Sequence, residues 1–333
     1  RRSSDLVLRG WRAIPTFVEF GQAIARYAPD AWVINYTNPM TLCTEAIYQG
    51  FPDAKCVGCC HEVPEMQRHI ARFVKERGLG TVHDPREIYI DLTGINHFTF
   101  TARISWNGID VLGELRTFAG ESGSQSDLTE RAIERRENRS WFDSDHRIAL
   151  DFLRRFGAYG FAGDRHLAEF VPWHLTSEED LHRYGVVKTP FWWRKEKNES
   201  RKARKPLEEA KILERSGEEG SDIVRALAGG GDIRANVNLP NRGQIPWLPL
   251  GHPVETYGLV RRDAIVAEVP ETLPPALQEL VRRAAEVQRL TMTAALERDR
   301  NKLLQAVLAD PLVTLPVPRA AAMVDEMVAY LDG

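Results

Sequence analysis

Five short strings in this sequence hold residue types that can grip a ligand, hold a cation or move a proton. Asn35-Tyr36-Thr37-Asn38-Pro39-Met40 closes the apolar run Ala31 to Tyr36, which has the length and composition of a strand. In an open parallel sheet ligands sit beyond the carboxyl ends of the strands, where the Asn38 carboxamide can both donate to and accept from a hydroxyl; the Asn-Pro step also serves a plain turn or helix start. Cys56 to His61 (CVGCCH) presents a thiol at Cys60 and an imidazole at His61, borderline-soft donors that suit a divalent transition metal. A structural zinc site needs a second ligand pair at matched spacing, which is absent, so the string reads as an open catalytic site or as buried structural cysteines.

Thr93 to Phe98 (TGINHF) sets Asn96 and His97 inside an apolar strand. Neighbouring strand side chains point to opposite faces, so one of the two is expected to face a cavity; a hydrogen-bonded structural histidine is the alternative. Gly163 to Phe170 (GDRHLAEF) follows Tyr159 and gathers four titratable side chains within six residues, as a catalytic loop entering a helix would, or as a helix start capped by Asp164. Asn236 to Pro249, with three asparagines and three prolines, reads as a rigid polar segment near a site.

These strings need a frame. The spacing of Phe17, Phe20, Ile24 and Tyr27 predicts an amphipathic helix from Pro15 to Ala28, with Pro15 in its first turn. A strand over 31–36, a helix over 41–49, a strand over 55–58 and a helix near 65–77 then predict a parallel sheet with crossover helices. After Asp84-Pro85 the alternation of 87–92 and 98–106 is that of antiparallel strands, with Asn107-Gly108 as a turn. The chain is therefore expected to be α/β, with a first domain over 1–84 and an α+β domain over 85–333. Leu273 to Leu308 is helix-forming throughout, and Pro318 to Leu331 forms a closing helix. The basic run Arg194 to Lys205 reads as a solvated helix or surface loop.

Composition narrows the partners. A net charge of -3 over 333 residues gives no basic surface to track phosphates, so neither nucleic acid nor an anionic membrane is expected, and no apolar run long enough to span a bilayer is present. The four cysteines, three of them crowded at 56–60, read as reduced thiols of a cytoplasmic protein. No G-x-G-x-x-G turn follows a strand, and Gly229-Gly230-Gly231 reads as a loop.

Taken in order, the strings resemble glycoside hydrolase family 4 over essentially the whole chain. The family's N-x-x-N-P stands at Asn35 to Pro39, its G-x-C-H at Gly58 to His61, and its G-I-N-H at Gly94 to His97. Its N-x-P-N-x-G-x-I-x-x-L-P stands at Asn238 to Pro249, and its D-P-L-V at Asp310 to Val313. The resemblance implies a truncated Rossmann-like NAD-binding domain joined to an α+β domain similar to that of lactate and malate dehydrogenases. The family's first strand and glycine fingerprint are expected upstream of Arg1, so that this chain alone would hold NAD poorly and be inactive.

It also implies NAD and a divalent metal, usually manganese, with Cys60 and His97 as protein ligands. Asn38, His61 and Asn96 would contact the sugar, and Asn35 and Asn38 the cofactor. Such enzymes stand outside the two-carboxylate scheme of other glycosidases: C3 is oxidised, the C2 proton is removed, the aglycone is eliminated, water adds, and the hydride returns. Asp164, then Tyr159, would be the base. Gly163 to Phe170 and Cys59 to Glu62 look most like the α-galacturonidase subgroup, with Arg165 as bidentate partner for a uronate carboxylate. The expected substrate is a small oligosaccharide or uronide, and the expected assembly a homo-oligomer, dimer or tetramer. An α-galactosidase or α-glucuronidase of the same family is the first alternative and a 2-hydroxy acid dehydrogenase the second, although none of the nine histidines sits in that dehydrogenase's motif.

Overall fold

The first helix is longer than its downstream half announces. In the computed structural model, which describes residues 2–121, 123, 127–202 and 219–332, α1 runs Arg2–Tyr27 with Pro15 inside it. Val7, Trp11 and Ile14, all buried, extend the apolar stripe upstream of the proline and pack with Leu42 and Ala46. That burial outweighs the one backbone hydrogen bond a helical proline forgoes. The chain then forms β1 (Trp32–Asn35), α2 (Met40–Gly50), β2 (Lys55–Gly58) and α3 (Glu62–Glu76), with β1 and β2 parallel as expected.

β3 (Tyr89–Ile95), β4 (Phe98–Trp106) and β5 (Ile109–Asp110) form an antiparallel run, followed by α4 (Val111–Gly120), α5 (Thr129–Glu137) and α6 (Arg147–Phe156). After β6 (Tyr159–Gly160) come α7 (Asp164–Leu167), α8 (Glu178–Arg183), α9 (Phe191–Lys202) and α10 (Gly220–Leu227). Residues 194–202 of the basic run lie on α9; 203–205 fall outside the described residues. β7 (Ile233–Pro240), β8 (Pro253–Arg261) and β9 (Ala264–Ala267) lead to α11 (Pro275–Glu297), α12 (Arg300–Ala309) and α13 (Val317–Asp332). The predicted helix over 273–308 is thus two helices. Arg298 takes a left-handed φ of 53°, and the Asp299 carboxylate accepts from the N–H groups of Asn301 and Lys302, so an acidic cap restarts the helix.

Among the described residues a nine-stranded sheet has the order β1-β2-β7-β8-β3-β4-β5, with β6 on β4 and β9 on β8. Strands from either side of residue 84 share it: Gly58 of β2 bridges to Asn238 of β7, and Gly94 of β3 to Glu255 of β8. At Gly94 φ is 151° and an added Cβ would fall 2.4 Å from the Phe98 carbonyl oxygen, so only glycine lets β3 and β4 close this tightly. The chain is a mixed α/β fold, and no helix among its described residues is long and apolar enough to cross a membrane.

The hairpin corrects the reading of Asn96 and His97. Ile95 pairs with Phe98, so the two residues are not strand residues on opposite faces; they are the two-residue turn between β3 and β4. His97 takes φ 67°, left-handed for a residue with a Cβ.

Candidate functional site

A cavity of about 670 Å³ opens where the carboxyl ends of β1 and β2 meet the tip of the β3–β4 hairpin, and Asn38, His61, Asn96, His97 and Arg165 all line it. Loop ends meeting at one place can gather side chains from distant parts of the chain without disturbing the sheet.

The two asparagines of the first string do different things. Asn35 is buried and engaged within its own loop: Nδ2 donates to the Thr44 hydroxyl at 3.0 Å, and Oδ1 accepts from the Thr37 N–H at 2.9 Å. Asn38 is exposed at the cavity wall, its Oδ1 accepting from the Met40 N–H at 3.2 Å at the start of α2. Asn35 therefore shapes the loop, whereas Asn38 can reach a ligand.

All four cysteines are free thiols in buried positions. Burial pushes Cys43 and Cys56 up to about 12, the behaviour of inert core residues. Cys60 differs in its neighbours. Burial first, then the nearby Glu255 and Glu62 carboxylates, raise its thiol well above the usual value, while the Glu62 N–H and the Asn96 carboxamide oppose them. The Asn96 carboxamide also lies near Glu255, whose own carboxyl burial pushes up to about 7. The Cys60 loop and the Asn96–His97 turn are thus in side-chain contact. A thiol, an imidazole and two carboxylates are gathered in little space, and burial disfavours the anionic forms of Cys60 and Glu255; a divalent cation would relieve that, so the residues fit such an ion. A second grouping stands beside it: donor atoms of His61, Glu62 and Glu65 lie within 4.8 Å of one another.

Glu62 joins this cluster to the fourth string. Its Oε1 is 3.0 Å from His166 Nδ1, and its Oε2 accepts from the Gly163 N–H at 2.8 Å. Burial alone would raise the Glu62 carboxyl, but the His166 imidazole and then His97 and the Gly163 N–H outweigh it and hold the group well below its usual range. His166 stacks on His97 with ring centroids 4.0 Å apart and planes 5° from parallel.

The two proposed bases lie elsewhere. Asp164 is 1% exposed and does not line the cavity; its carboxylate accepts from the N–H groups of Arg147 at 2.8 Å, Ile148 at 2.8 Å and Ala149 at 3.2 Å, which makes it the cap of α6. Tyr159 is fully buried behind it, away from the cavity lining, its phenol pushed well above the usual value by burial and then by Asp164. The capping alternative is the one seen, but the helix capped is α6, earlier in the chain. Arg165 does line the cavity; its Nη1 donates to the Trp141 carbonyl at 3.0 Å and to Thr189 Oγ1 at 2.6 Å, which fixes the guanidinium in place.

Sequence reasoning did not single out Glu62, His166 or Glu255 as site residues. For His166 a signal existed, the density of titratable groups in GDRH. Glu255 had none, being a lone acid in the strand PVETYGLVR.

Known proteins resemble this chain in sequence and in fold. Residues 3–76 match "Family 4 glycosyl hydrolase" and residues 92–313 match "Family 4 glycosyl hydrolase C-terminal domain". An alpha-galacturonidase of Thermoanaerobacterium saccharolyticum is 40% identical over 98% of this chain and 72% of its own length. The crystal structure of a Bacillus subtilis protein described as a putative glucosidase superimposes with a TM-score of 0.86 at 36% identity, over 96% of this chain and 74% of the other. A 6-phospho-alpha-glucosidase from gut microorganisms, crystallised with NAD and Mn2+, shares the fold at a TM-score of 0.73 and 19% identity, over 98% of this chain and 73% of its own.

Proposed function

The chain belongs to family 4 of the glycoside hydrolases, and on that premise we propose that it hydrolyses α-galacturonides with the help of NAD and a divalent cation such as manganese. Its 40% identity to an alpha-galacturonidase supports the substrate. The observation that carries the site is that His61 and Glu62, directly after Cys60, line one cavity with the Asn96–His97 turn, Cys60 itself being buried behind that lining. Cys60 and His97 are the residues we assign to hold the cation, with Glu62 adjacent. When bound, NAD and the cation supply a reversible hydride acceptor and a Lewis acid.

The chain's own residues do the rest. Asn38 and His61, on the cavity wall, orient the sugar through hydroxyl contacts. Arg165, anchored by Trp141 and Thr189, offers its planar cation to the uronate carboxylate. For the C2 proton we assign His166 in place of Asp164 and Tyr159. It lines the cavity, and Glu62 at its Nδ1 fixes the ring, the arrangement of an imidazole oriented by an acid. The α6 cap of Asp164 leaves that carboxylate no such freedom.

The substrate is tested by release of nitrophenol from aryl α-galacturonide, α-galactoside and α-glucuronide. The α-galacturonide is expected to be preferred, and Arg165→Lys to narrow that preference by about tenfold, the worth of one bidentate charge-assisted pair. A preference for the neutral galactoside in the native chain contradicts the role of Arg165.

A further inference from the structure

Glu255 has no part in the chemistry above, yet it is a carboxylate 1% exposed in the middle of a sheet. Burying such a group costs several kcal/mol unless its oxygens are well supplied with donors. Here two carboxamides supply them. Asn238 Nδ2 donates to Glu255 Oε1 at 3.0 Å and Asn236 Nδ2 to the same oxygen at 3.2 Å.

The strand register explains how they meet. Gly58 of β2 faces Asn238 of β7, Asn238 faces Glu255 of β8, and Glu255 faces Gly94 of β3, so one row of residues crosses four strands. Asn236 lies two residues from Asn238 and on the same face. At one end of the row stands the strand that leads into Cys60, and at the other the strand that turns at Asn96 and His97. The β7 asparagines reach back to the first of these: Asn236 Nδ2 also donates to the Cys60 carbonyl at 3.3 Å, and Asn238 Nδ2 to the Gly58 carbonyl at 3.4 Å. Each amide nitrogen has two hydrogens, so each asparagine can serve Glu255 and the Cys60 loop together.

We propose that Glu255 is a positioning residue that sets the Cys60 loop for cation binding by holding Asn236 and Asn238 with their amide nitrogens toward itself and that loop. This rests on the assignment of Cys60 and His97 as the cation's ligands. The need is for an acceptor at Oε1. An apolar side chain there leaves both amides without the partner that keeps Nδ2 turned toward the Cys60 and Gly58 carbonyls, and the loop loosens. Glutamine keeps an oxygen at that place and can hold both amides.

The test is the affinity of the full chain for Mn2+ alone, read as the loss of the free-ion electron paramagnetic resonance signal, with thermal melting of the metal-free protein alongside. Glu255→Leu is expected to weaken Mn2+ binding by about tenfold to a hundredfold, the usual effect of removing a residue that orients metal ligands, while Glu255→Gln, which keeps the acceptor, stays close to the native chain in affinity and in metal-free melting temperature. Unchanged affinity in folded Glu255→Leu, or equal loss in Glu255→Gln, overturns the proposal. Should Glu255→Leu not fold, Asn236→Ala, which leaves Glu255 in place, is expected to weaken binding in its stead, and unchanged affinity there overturns the proposal. Cys60→Ser separates the layers: loss of binding there with none in Glu255→Leu overturns only this proposal, whereas a native chain that takes up no Mn2+ overturns the ligand assignment beneath it.

Discussion

Asp164 and Glu255 are two carboxylates buried to 1% exposure. Each is supplied with hydrogen-bond donors, and burial pushes one up to about 6 and the other to about 7. Their donors separate them. Asp164 accepts three backbone N–H groups from one helix end, so what it fixes is the position of α6. Glu255 accepts two side-chain amides from β7 that also donate to the Cys60 and Gly58 carbonyls, so what it holds is a loop at the cavity. The first sits in a string that looks catalytic and the second in a string that looks like plain strand. A buried acid is best interpreted from what it holds together, and its sequence neighbourhood alone misleads.

The sharpest way to break this contrast is at the cavity side. Cys60→Ser is expected to lower kcat/KM by at least about a thousandfold, since a Lewis acid is worth several kcal/mol to such a reaction, with the chemical denaturation midpoint little changed. A small activity loss would remove Cys60 from the site and leave Glu255 no different in kind from Asp164.

On the other side the pattern should invert. Asp164→Ala strands three backbone donors at the start of α6 and is expected to cost about 4 kcal/mol of stability by urea denaturation. The kcat/KM of the folded fraction should stay within about threefold. A severe loss of kcat/KM with stability intact would restore Asp164 as the base.

A smaller effect sharpens the comparison through pH. The Asp164 carboxyl rises from 3.8 to about 6 on folding, so across that window the folded chain keeps a proton that the unfolded chain has lost. Its contribution therefore falls as pH rises, by up to about 3 kcal/mol, and the fall is complete above pH 6. Denaturation of the native chain and Asp164→Asn at several pH values isolates it: the native chain is expected to lose ground against the variant from pH 4 to pH 6. A constant difference would mean that Asp164 titrates as an exposed acid does.

Much of the frame was legible because it follows from periodicity and turn chemistry. The run 31–36, the strand 55–58 and the helix between them reappear as a parallel β-α-β unit, and Asn107-Gly108 turns where such a pair should. What was misread depended on partners distant in sequence. Pro15 looked like a helix start because Trp11 and Ile14 gain their meaning only when α2 packs on them. Asn96 and His97 looked like strand residues because glycine at 94 was not recognised as what allows a two-residue turn. Glu255 was invisible, since its two amides arrive from residues 236 and 238 on a neighbouring strand. The alternative of a 2-hydroxy acid dehydrogenase gives way to the family match over residues 3–76 and 92–313.

The reaction itself offers the most direct measurement. Turnover of an aryl α-galacturonide in deuterated water, with NAD and manganese present, is predicted to place solvent deuterium at C2 of the released sugar, because the proposed route removes and replaces the proton at that carbon in each cycle. Released sugar that keeps its original hydrogen at C2 would contradict proton abstraction at this cavity.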